Sequence, residues 1–378
     1  MKDSERNTLA PQPPPARKNK QLSPFRLGLL AASSMSVGGQ AVIEGVMMRS
    51  PHSMAVAVRR PSKKIVIKEF QWVSLSDRYK IFKKPVFRGM SLLVEAMMNG
   101  MTALSFSAEQ AAFGEAELQN VTPINSKQEA LTKGAIAASM VTALAVGVAM
   151  FVLLPHFLTE MLGRTVFHGG LPVNSFKFHL IDGLIKTCIF IGYILLISRM
   201  NDIKRVFQYH GAEHKSIFNY EKQKELSINN ARAESRFHPR CGTSFILTVI
   251  LASILIFSAF FPLLPKPNLS PVLTSLLFAL IKIPLMLPIV GLSYEFIRLM
   301  GSDQCPSWLK GLSKPGLWMQ NLTTQEPDDT QLEVGLASLK ACLWREENLK
   351  ERPQRRENLV ELENIQSPVF EDRLASTL

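Results

Sequence analysis

The chain has 378 residues, a formal net charge of +12 and four cysteines, a length and cysteine count that exclude a small disulfide-stapled extracellular scaffold. Charged residues make up 20% of the chain and hydrophobic residues 47%, and this charged share is low for a soluble protein. Residues 1–88 contain 17 Lys and Arg against 5 Asp and Glu, whereas residues 89–378 contain 26 of each. A basic block of this kind is typical of nucleic-acid binding, of an anionic membrane surface, or of membrane-topology control.

The N-terminal region predicts a tail and then a small β-containing segment. Residues 1–35 are basic and rich in proline, which predicts disorder. Residues 36–113 are expected to form cytoplasmic strands followed by a helix. The strands are predicted at Met54–Val58 and Ile65–Phe70, with a polar turn at 59–64 between them. The preceding Gly38-Gly39 pair supplies the backbone freedom that a tight approach or a turn requires.

A methionine-rich helix is predicted at Gly89–Ala108, where Glu95 is the only charged residue. Its apolar residues follow helical spacing, which favours an interfacial helix that lies on the inner leaflet. The alternative is a fifth membrane span. That alternative would place the basic block outside, against the positive-inside rule.

Four long apolar segments within residues 134–300 decide the fold class. They are Ala135–Pro155, Leu180–Ser198, Phe245–Leu264 and Val272–Tyr294. Each can cross a hydrocarbon core of about 30 Å as a helix, whereas soluble helices are rarely apolar on all faces over such a length. The charges inside them are few, and Asp182 and Lys186, one turn apart, are expected to pair. The sequence therefore predicts an α-helical membrane protein with four transmembrane helices and a small β-containing N-terminal cytoplasmic segment.

The basic residues predict the topology of these spans. The connector 199–244 carries nine Lys and Arg, and the connector 156–179 carries two. The positive-inside rule then places the central loop 199–244 and both termini in the cytoplasm. Topology thus explains the basic block, and no nucleic-acid partner is expected, because interleaved aromatic residues and a recognisable nucleic-acid module are missing. The expected partners are the lipid bilayer and other membrane proteins.

Residue types that bind metals concentrate in the central loop. His210 and His214 lie one turn apart on a helix, so their imidazoles share a face and suit one metal ion. Glu213 completes a His-x-x-Glu-His sequence. In inverzincins this order provides two metal ligands and a glutamate that accepts a proton from the attacking water. The pattern predicts a metal site, with zinc as the natural ion for nitrogen and sulfur ligands, and Glu213 as the catalytic base.

Two completions of this site are open from the sequence. If His238 and Cys241 are the further ligands, the zinc shell is closed and the metal holds the fold together. If Glu295 is the third ligand, one position stays open for water, as in catalytic zinc sites. Glu295 follows His214 by 81 residues and lies at the cytoplasmic end of the fourth span.

The C-terminal region predicts a cytoplasmic loop and helix over residues 301–345, with the helix at Thr330–Arg345. Its leucines recur at helical spacing along one face. Residues 346–378 are mostly charged and polar, and are predicted to form a second disordered tail.

Several segments of the sequence resemble the YqhQ-like family. They are Gly38–Pro51, Arg88-Gly89, Tyr209–Lys215, Arg236–Phe245, Ser293–Arg298 and Glu326–Val334. The resemblance covers about residues 36–345. It implies a multi-pass protein of a bacterial inner membrane or a plastid membrane, with a domain of unknown function and a predicted metal-dependent enzyme activity. Carried over by residue, the family's characteristic positions are His210, Glu213, His214, His238, Cys241 and Glu295.

Two functional hypotheses follow. The first is a membrane-embedded zinc protein whose cytoplasmic site catalyses hydrolysis, with Glu213 as the general base. The second is a non-enzymatic scaffold, or an assembly factor for other membrane proteins, with a structural metal site. The methionine-rich helix would suit the second hypothesis, because methionine side chains make an adaptable binding surface.

Overall fold

The computed structural model describes residues 37–118, 138–139, 141–167, 170–265, 267–300, 311, 314–348 and 358–362. The predicted tail 1–35 and most of the predicted tail 346–378 lie outside these ranges. The loop 301–310 lies outside them as well.

The strands form one antiparallel sheet in which each strand pairs with the next along the chain. They are β1 (Gly38–Val42), β2 (Gly45–Arg49), β3 (Ser53–Arg59), β4 (Ile65–Gln71) and β5 (Asn358–Leu362). Two residues connect β1 to β2, and Glu44 takes a positive φ of 51° in this tight turn. The predicted pair of strands and the turn between them are confirmed as β3, β4 and their connection.

The fifth strand lies inside the predicted C-terminal tail. Asn358–Leu362 pairs with β4, and its Val360 and Leu362 are buried in the sheet core. The expectation of disorder is therefore wrong for these five residues. A segment of five residues with three apolar side chains is too short to predict a strand within a charged tail, and the strand with which it pairs is distant in sequence.

Helices cover both faces of the sheet, because alternate residues of each strand point to opposite sides. Helix α1 (Phe87–Leu118) covers one face, where Ala103 and Phe106 pack against β2, β3 and β4. Helices α4 (Asn201–Glu221) and α9 (Asp329–Glu347) cover the other face. The predicted C-terminal helix is confirmed as α9, which begins with a capping box between Asp328 and Gln331.

Among the described residues, four helices are long and apolar enough to cross a membrane. They are α2 (Val141–Val166), α3 (Phe176–Ile197), α6 (Gly242–Phe260) and α7 (Pro271–Met300). The predicted number of membrane-length helices is thereby confirmed, and their exposed apolar side chains are compatible with contact to lipid. Helix α2 runs further than the predicted first span and includes one wide turn at Ala149–Leu153.

Helix α1 is longer than the predicted methionine-rich helix, and it is not one of the four membrane-length apolar helices. It begins in close contact with α7, because a Cβ on Gly89 would lie 2.9 Å from the Cα of Gly291. The side chains of Met97, Met98 and Met101 are exposed along its middle. The start of α1 is therefore held against α7, while its later turns cover the sheet.

Two further helices are shorter than the ones given above. Helix α5 (Ile228–Arg232) follows α4, and helix α8 (Lys314–Thr323) packs against α6 ahead of α9. The segment between α5 and α6 carries His238 and ends at Cys241, the N-cap residue of α6.

Candidate metal site

The predicted His-x-x-Glu-His sequence lies in the middle of α4, on a buried part of the helix. Close packing against two neighbouring segments requires glycines there. A Cβ on Gly211 would lie 2.1 Å from the carbonyl oxygen of Gln325, and a Cβ on Gly335 of α9 would lie 2.8 Å from Ser216 Oγ. These two glycines allow α4 to lie directly against the segment that follows α8 and against α9.

Replacing Gly211 with alanine is expected to lower the free energy of unfolding by about 3 kcal/mol, since a methyl group cannot enter this contact without displacing backbone. Thermal unfolding of the purified protein would measure the change. Gly192→Ala is the matched control, because no atom lies within 4 Å of a Cβ built at Gly192. Equal stabilities of the two variants would contradict this account of the α4 packing.

Three of the predicted ligands converge at one point. The ligand atoms of His210, His214 and Cys241 all lie within 4.8 Å of one another. Cys241 Sγ is 3.3 Å from His210 Nε2, and the two imidazole centroids are 4.5 Å apart. Two imidazoles and one thiolate form a donor set that suits zinc, which takes nitrogen and sulfur ligands in a tetrahedral arrangement. The residues present therefore fit a zinc ion with three protein ligands.

Hydrogen bonds to backbone carbonyls orient both histidines. Nδ1 of His210 lies 2.9 Å from the carbonyl oxygen of Thr323, and Nδ1 of His214 lies 2.5 Å from that of Arg236. When each Nδ1–H donates to its carbonyl, the lone pair of each Nε2 is free and faces the cluster. Metal-binding histidines are commonly held by this kind of partner.

Glu213 lies beside the three converging residues and is 5% exposed. Its Oε2 is 3.7 Å from His210 Nε2 and 3.8 Å from His214 Nε2. The backbone N–H of Gly39 in β1 donates to this carboxylate, and a Cβ on Gly39 would lie 2.6 Å from Glu213 Cγ. The close approach that the Gly38-Gly39 pair predicts is therefore made to Glu213.

Burial shifts the pKa values of Glu213 and His214. It raises the pKa of Glu213 above its ordinary value, and the nearby His210 and His238 oppose that shift. It lowers the pKa of His214, which favours the neutral imidazole. A neutral imidazole is the form that binds a metal, and a carboxyl group with a raised pKa is suited to general acid–base chemistry.

His238 lies next to the cluster but is not one of its three converging residues. Its ring centroid is 5.6 Å from that of His214, and its Nε2 is 3.4 Å from a carboxylate oxygen of Glu221. Its Nδ1 accepts a hydrogen bond from the backbone N–H of Arg240. Both ring nitrogens are thus directed to other partners, and of the predicted His238 and Cys241 pair the structure brings only Cys241 into the cluster.

Glu295 does not lie in the cluster either. It forms a two-oxygen ion pair with Arg88, in which Arg88 Nε donates to Oε1 at 2.5 Å and the second guanidinium nitrogen contacts Oε2. The backbone N–H of Val86 adds a third hydrogen bond. The structure therefore places Glu295 in the junction between α1 and α7, where a basic residue of the N-terminal block neutralises it.

The sequence does not predict the groups that orient the two histidines. The carbonyls of Thr323 and Arg236 belong to the backbone, which leaves no signature in the residue type. The sequence does point to Gly39, because a glycine pair supplies the backbone freedom that a close approach or a turn requires. The partner of that approach, Glu213, is 174 positions away and could not be read from local pattern.

Comparison with known proteins identifies the family of this chain. The family described as a protein of unknown function (DUF1385) matches residues 84–345. The uncharacterized protein YqhQ of Bacillus subtilis (strain 168) is 35% identical over 320 residues, which cover 84% of this chain and 95% of that protein. No solved structure is significantly similar to this chain. The chain therefore belongs to the YqhQ-like, DUF1385 family of proteins of unknown function.

Proposed function

We propose that this chain is an integral membrane protein that binds zinc on the cytoplasmic side and hydrolyses a substrate there. Helices α2, α3, α6 and α7 would be the four spans, with both termini and the α4–α5 segment in the cytoplasm or stroma. The positive-inside distribution of Lys and Arg supports this orientation. The resemblance of the sequence to the YqhQ-like family supports a bacterial inner membrane or a plastid membrane as the location.

The convergence of three zinc-type ligands beside a buried carboxylate carries the hydrolase proposal. His210, His214 and Cys241 would hold the ion, and three protein ligands leave the fourth tetrahedral position for water or substrate. Zinc in this place would supply Lewis acidity toward a carbonyl or phosphoryl oxygen. Glu213, held by the Gly39 N–H, would accept the proton of the attacking water at its Oε2 and later deliver it to the leaving group.

The burial of the site favours a second candidate, a scaffold or assembly factor with a structural zinc. His214 is 2% exposed and Cys241 is 4% exposed. The site also lies where α4, the N-terminus of α6 and the Gly39 backbone meet, so a metal there would stabilise the junction of three elements. Exposed Met97 and Met98 of α1 would then serve as a surface for other membrane proteins.

Metal analysis of the purified protein tests zinc binding, which both candidates share. We expect about one zinc per chain in the wild type, and we expect the ion to be lost in His214→Ala because a ligand and its buried imidazole are removed. Glu295→Gln is the matched control and should keep the ion, since Glu295 pairs with Arg88. Wild-type protein without stoichiometric metal, or loss of zinc in Glu295→Gln, would contradict this assignment of the ligands.

A further inference from the structure

A second polar cluster lies between α2, α3 and α7, far from the zinc ligands along the helices. Asp182, Lys186 and Lys282 are each at most 8% exposed. The expected Asp182–Lys186 pair is present at 3.8 Å, but the closer partner of Asp182 is Lys282, at 2.9 Å from the same oxygen. Two ammonium groups thus share one carboxylate inside helices of membrane-spanning length. An excess positive charge is costly in such an environment and commonly marks a proton or ion pathway.

A chain of hydrogen bonds leads away from this cluster. Lys282 Nζ lies 3.2 Å from Nδ1 of His156, and His156 Nε2 lies 2.8 Å from Ser275 Oγ. Ser275 Oγ then donates to Glu160 Oε2 at 2.8 Å. An ammonium group only donates, so Nδ1 of a neutral His156 accepts, its Nε2–H donates to Ser275, and the serine hydroxyl donates to Glu160. All donors therefore point in one direction, from Lys282 toward Glu160.

Glu160 lies at the outer end of this chain of hydrogen bonds. Together with Arg164, Asn174 and Thr274 it lines a cleft of about 340 Å³. Ser275 is in the second turn of α7, about 30 Å along that helix from Glu295 at a rise of 1.5 Å per residue. Because α6 and α7 are consecutive and antiparallel, the cleft lies at the opposite end of these helices from Cys241. In the proposed topology the cleft faces the non-cytoplasmic side.

Among the described residues, the hydrogen bonds of the Lys282 ammonium group go to two side chains, His156 and Asp182. Helix α6 packs against α3 and contributes no titratable side chain over Gly242–Phe260. His179 of α3 stacks on Phe261 instead of joining the chain. Both ammonium groups contact Oδ2 of Asp182, and its Oδ1 is buried without a hydrogen-bond partner among the described residues. One carboxylate therefore balances only one of the two positive charges.

We propose that Lys282, His156, Ser275 and Glu160 form a proton relay. Through this relay Lys282 gains and loses a proton on the non-cytoplasmic side. In the unloading step Lys282 gives a proton to His156 Nδ1, His156 passes its Nε2 proton to Ser275, and Ser275 passes its hydroxyl proton to the Glu160 carboxylate. Lys282 becomes a neutral amine, Glu160 becomes a carboxylic acid, and His156 changes tautomer. Glu160 then releases the proton to water in the cleft, and Asp182 keeps Lys186 as its counter-ion. The relay rests on the membrane placement in the proposed function and not on zinc.

Proton release from vesicles tests the relay. The full chain is reconstituted in phospholipid vesicles, its orientation is determined by protease access to the termini, and the pH on the Glu160 side is raised from about 7 to about 10, around the ordinary pKa of lysine. A membrane-impermeant dye counts protons in a stopped-flow experiment. We expect the wild type to release about one proton per chain more than Lys282→Met. Ser275→Ala should release it about tenfold more slowly or worse, because the hydroxyl link is lost, and Ser275→Thr should restore the rate.

The outcomes separate the relay from the zinc proposal. Equal proton counts in the wild type and Lys282→Met, or equal rates in Ser275→Ala and the wild type, would overturn the relay. If Lys282→Met does not fold, the rates of the two near-isosteric Ser275 variants decide the matter alone. His214→Ala should release protons as the wild type does, since its site lies at the other end of α6. A chain that alkaline carbonate removes from the vesicles would contradict both the membrane placement and the relay.

Discussion

Removing zinc from the wild-type protein with a chelator is expected to lower the free energy of local opening around the site by about 4 kcal/mol, if free zinc was about a thousandfold above its dissociation constant. The reason is that the proposed ligands come from separate elements. His210 and His214 belong to α4, whereas Cys241 precedes α6. Without the ion, hydrogen bonds and packing alone hold the two buried imidazoles and the thiol in place.

Hydrogen exchange of backbone amides measures this opening, because it reports the free energy of local unfolding segment by segment. Chelation should increase exchange at residues 207–216 and 236–245, and it should leave β3 and β4 unchanged. Cys241→Ser is the matched variant, since its exchange should already be raised and should not respond to the chelator. Unchanged exchange in chelated wild-type protein would contradict a zinc ion that bridges α4 and α6.

The proximity of the two proposed ligands on α4 could be predicted from the sequence because their geometry is local. A spacing of four residues on a helix fixes His210 and His214 on one face wherever the helix lies. The choice between His238 and Cys241 could not be predicted in this way. They lie in a segment without regular structure, and Gln320 of α8 fixes its path by accepting from the His238 backbone N–H and donating to its carbonyl oxygen. That contact is distant in sequence, so spacing alone could not tell which of the two side chains joins His210 and His214.

The position of Glu295 shows a second limit of prediction from the sequence. Hydrophobic length and loop charge predict the height of a residue along a membrane helix, and they place Glu295 at the same end of the helices as the proposed zinc ligands. They carry no information on lateral position. The side chain that decides its environment is Arg88, which the charge pattern assigns to the basic block. The guanidinium reaches Glu295 because Gly89 and Gly291 let α1 and α7 touch.

The elements of the fold also differ in whether a local sequence pattern predicts them. The four long apolar helices and the β3–β4 pair follow from patterns within one segment, namely continuous hydrophobicity and alternation. The position of β5 and the arrangement of α4 and α9 on one sheet face depend on contacts between segments more than 100 residues apart. Packing of buried side chains decides these contacts, and a single sequence read segment by segment does not contain them.

Replacing Glu213 with glutamine is expected to leave zinc bound and to reduce hydrolytic turnover by about a hundredfold to ten-thousandfold, the range that a general base contributes. Glutamine has the size of glutamate, and its side-chain carbonyl oxygen can still accept the hydrogen bond from the Gly39 N–H. Its amide nitrogen has no lone pair that takes a proton at neutral pH. The variant therefore removes proton transfer without removing a proposed ligand or the contact to β1.

Turnover of an activated phenyl ester by the detergent-solubilised protein, with zinc content measured on the same sample, provides the readout. Glu221→Gln is the matched control, because Glu221 ends the same helix and contacts His238 and Arg240 instead of the three converging residues. It should retain wild-type turnover. Two results would favour a structural zinc over a catalytic one. The first is a zinc-loaded wild type without turnover. The second is equal turnover in Glu213→Gln and the wild type, because a buried ion that only joins α4 to α6 has no need of a base beside it.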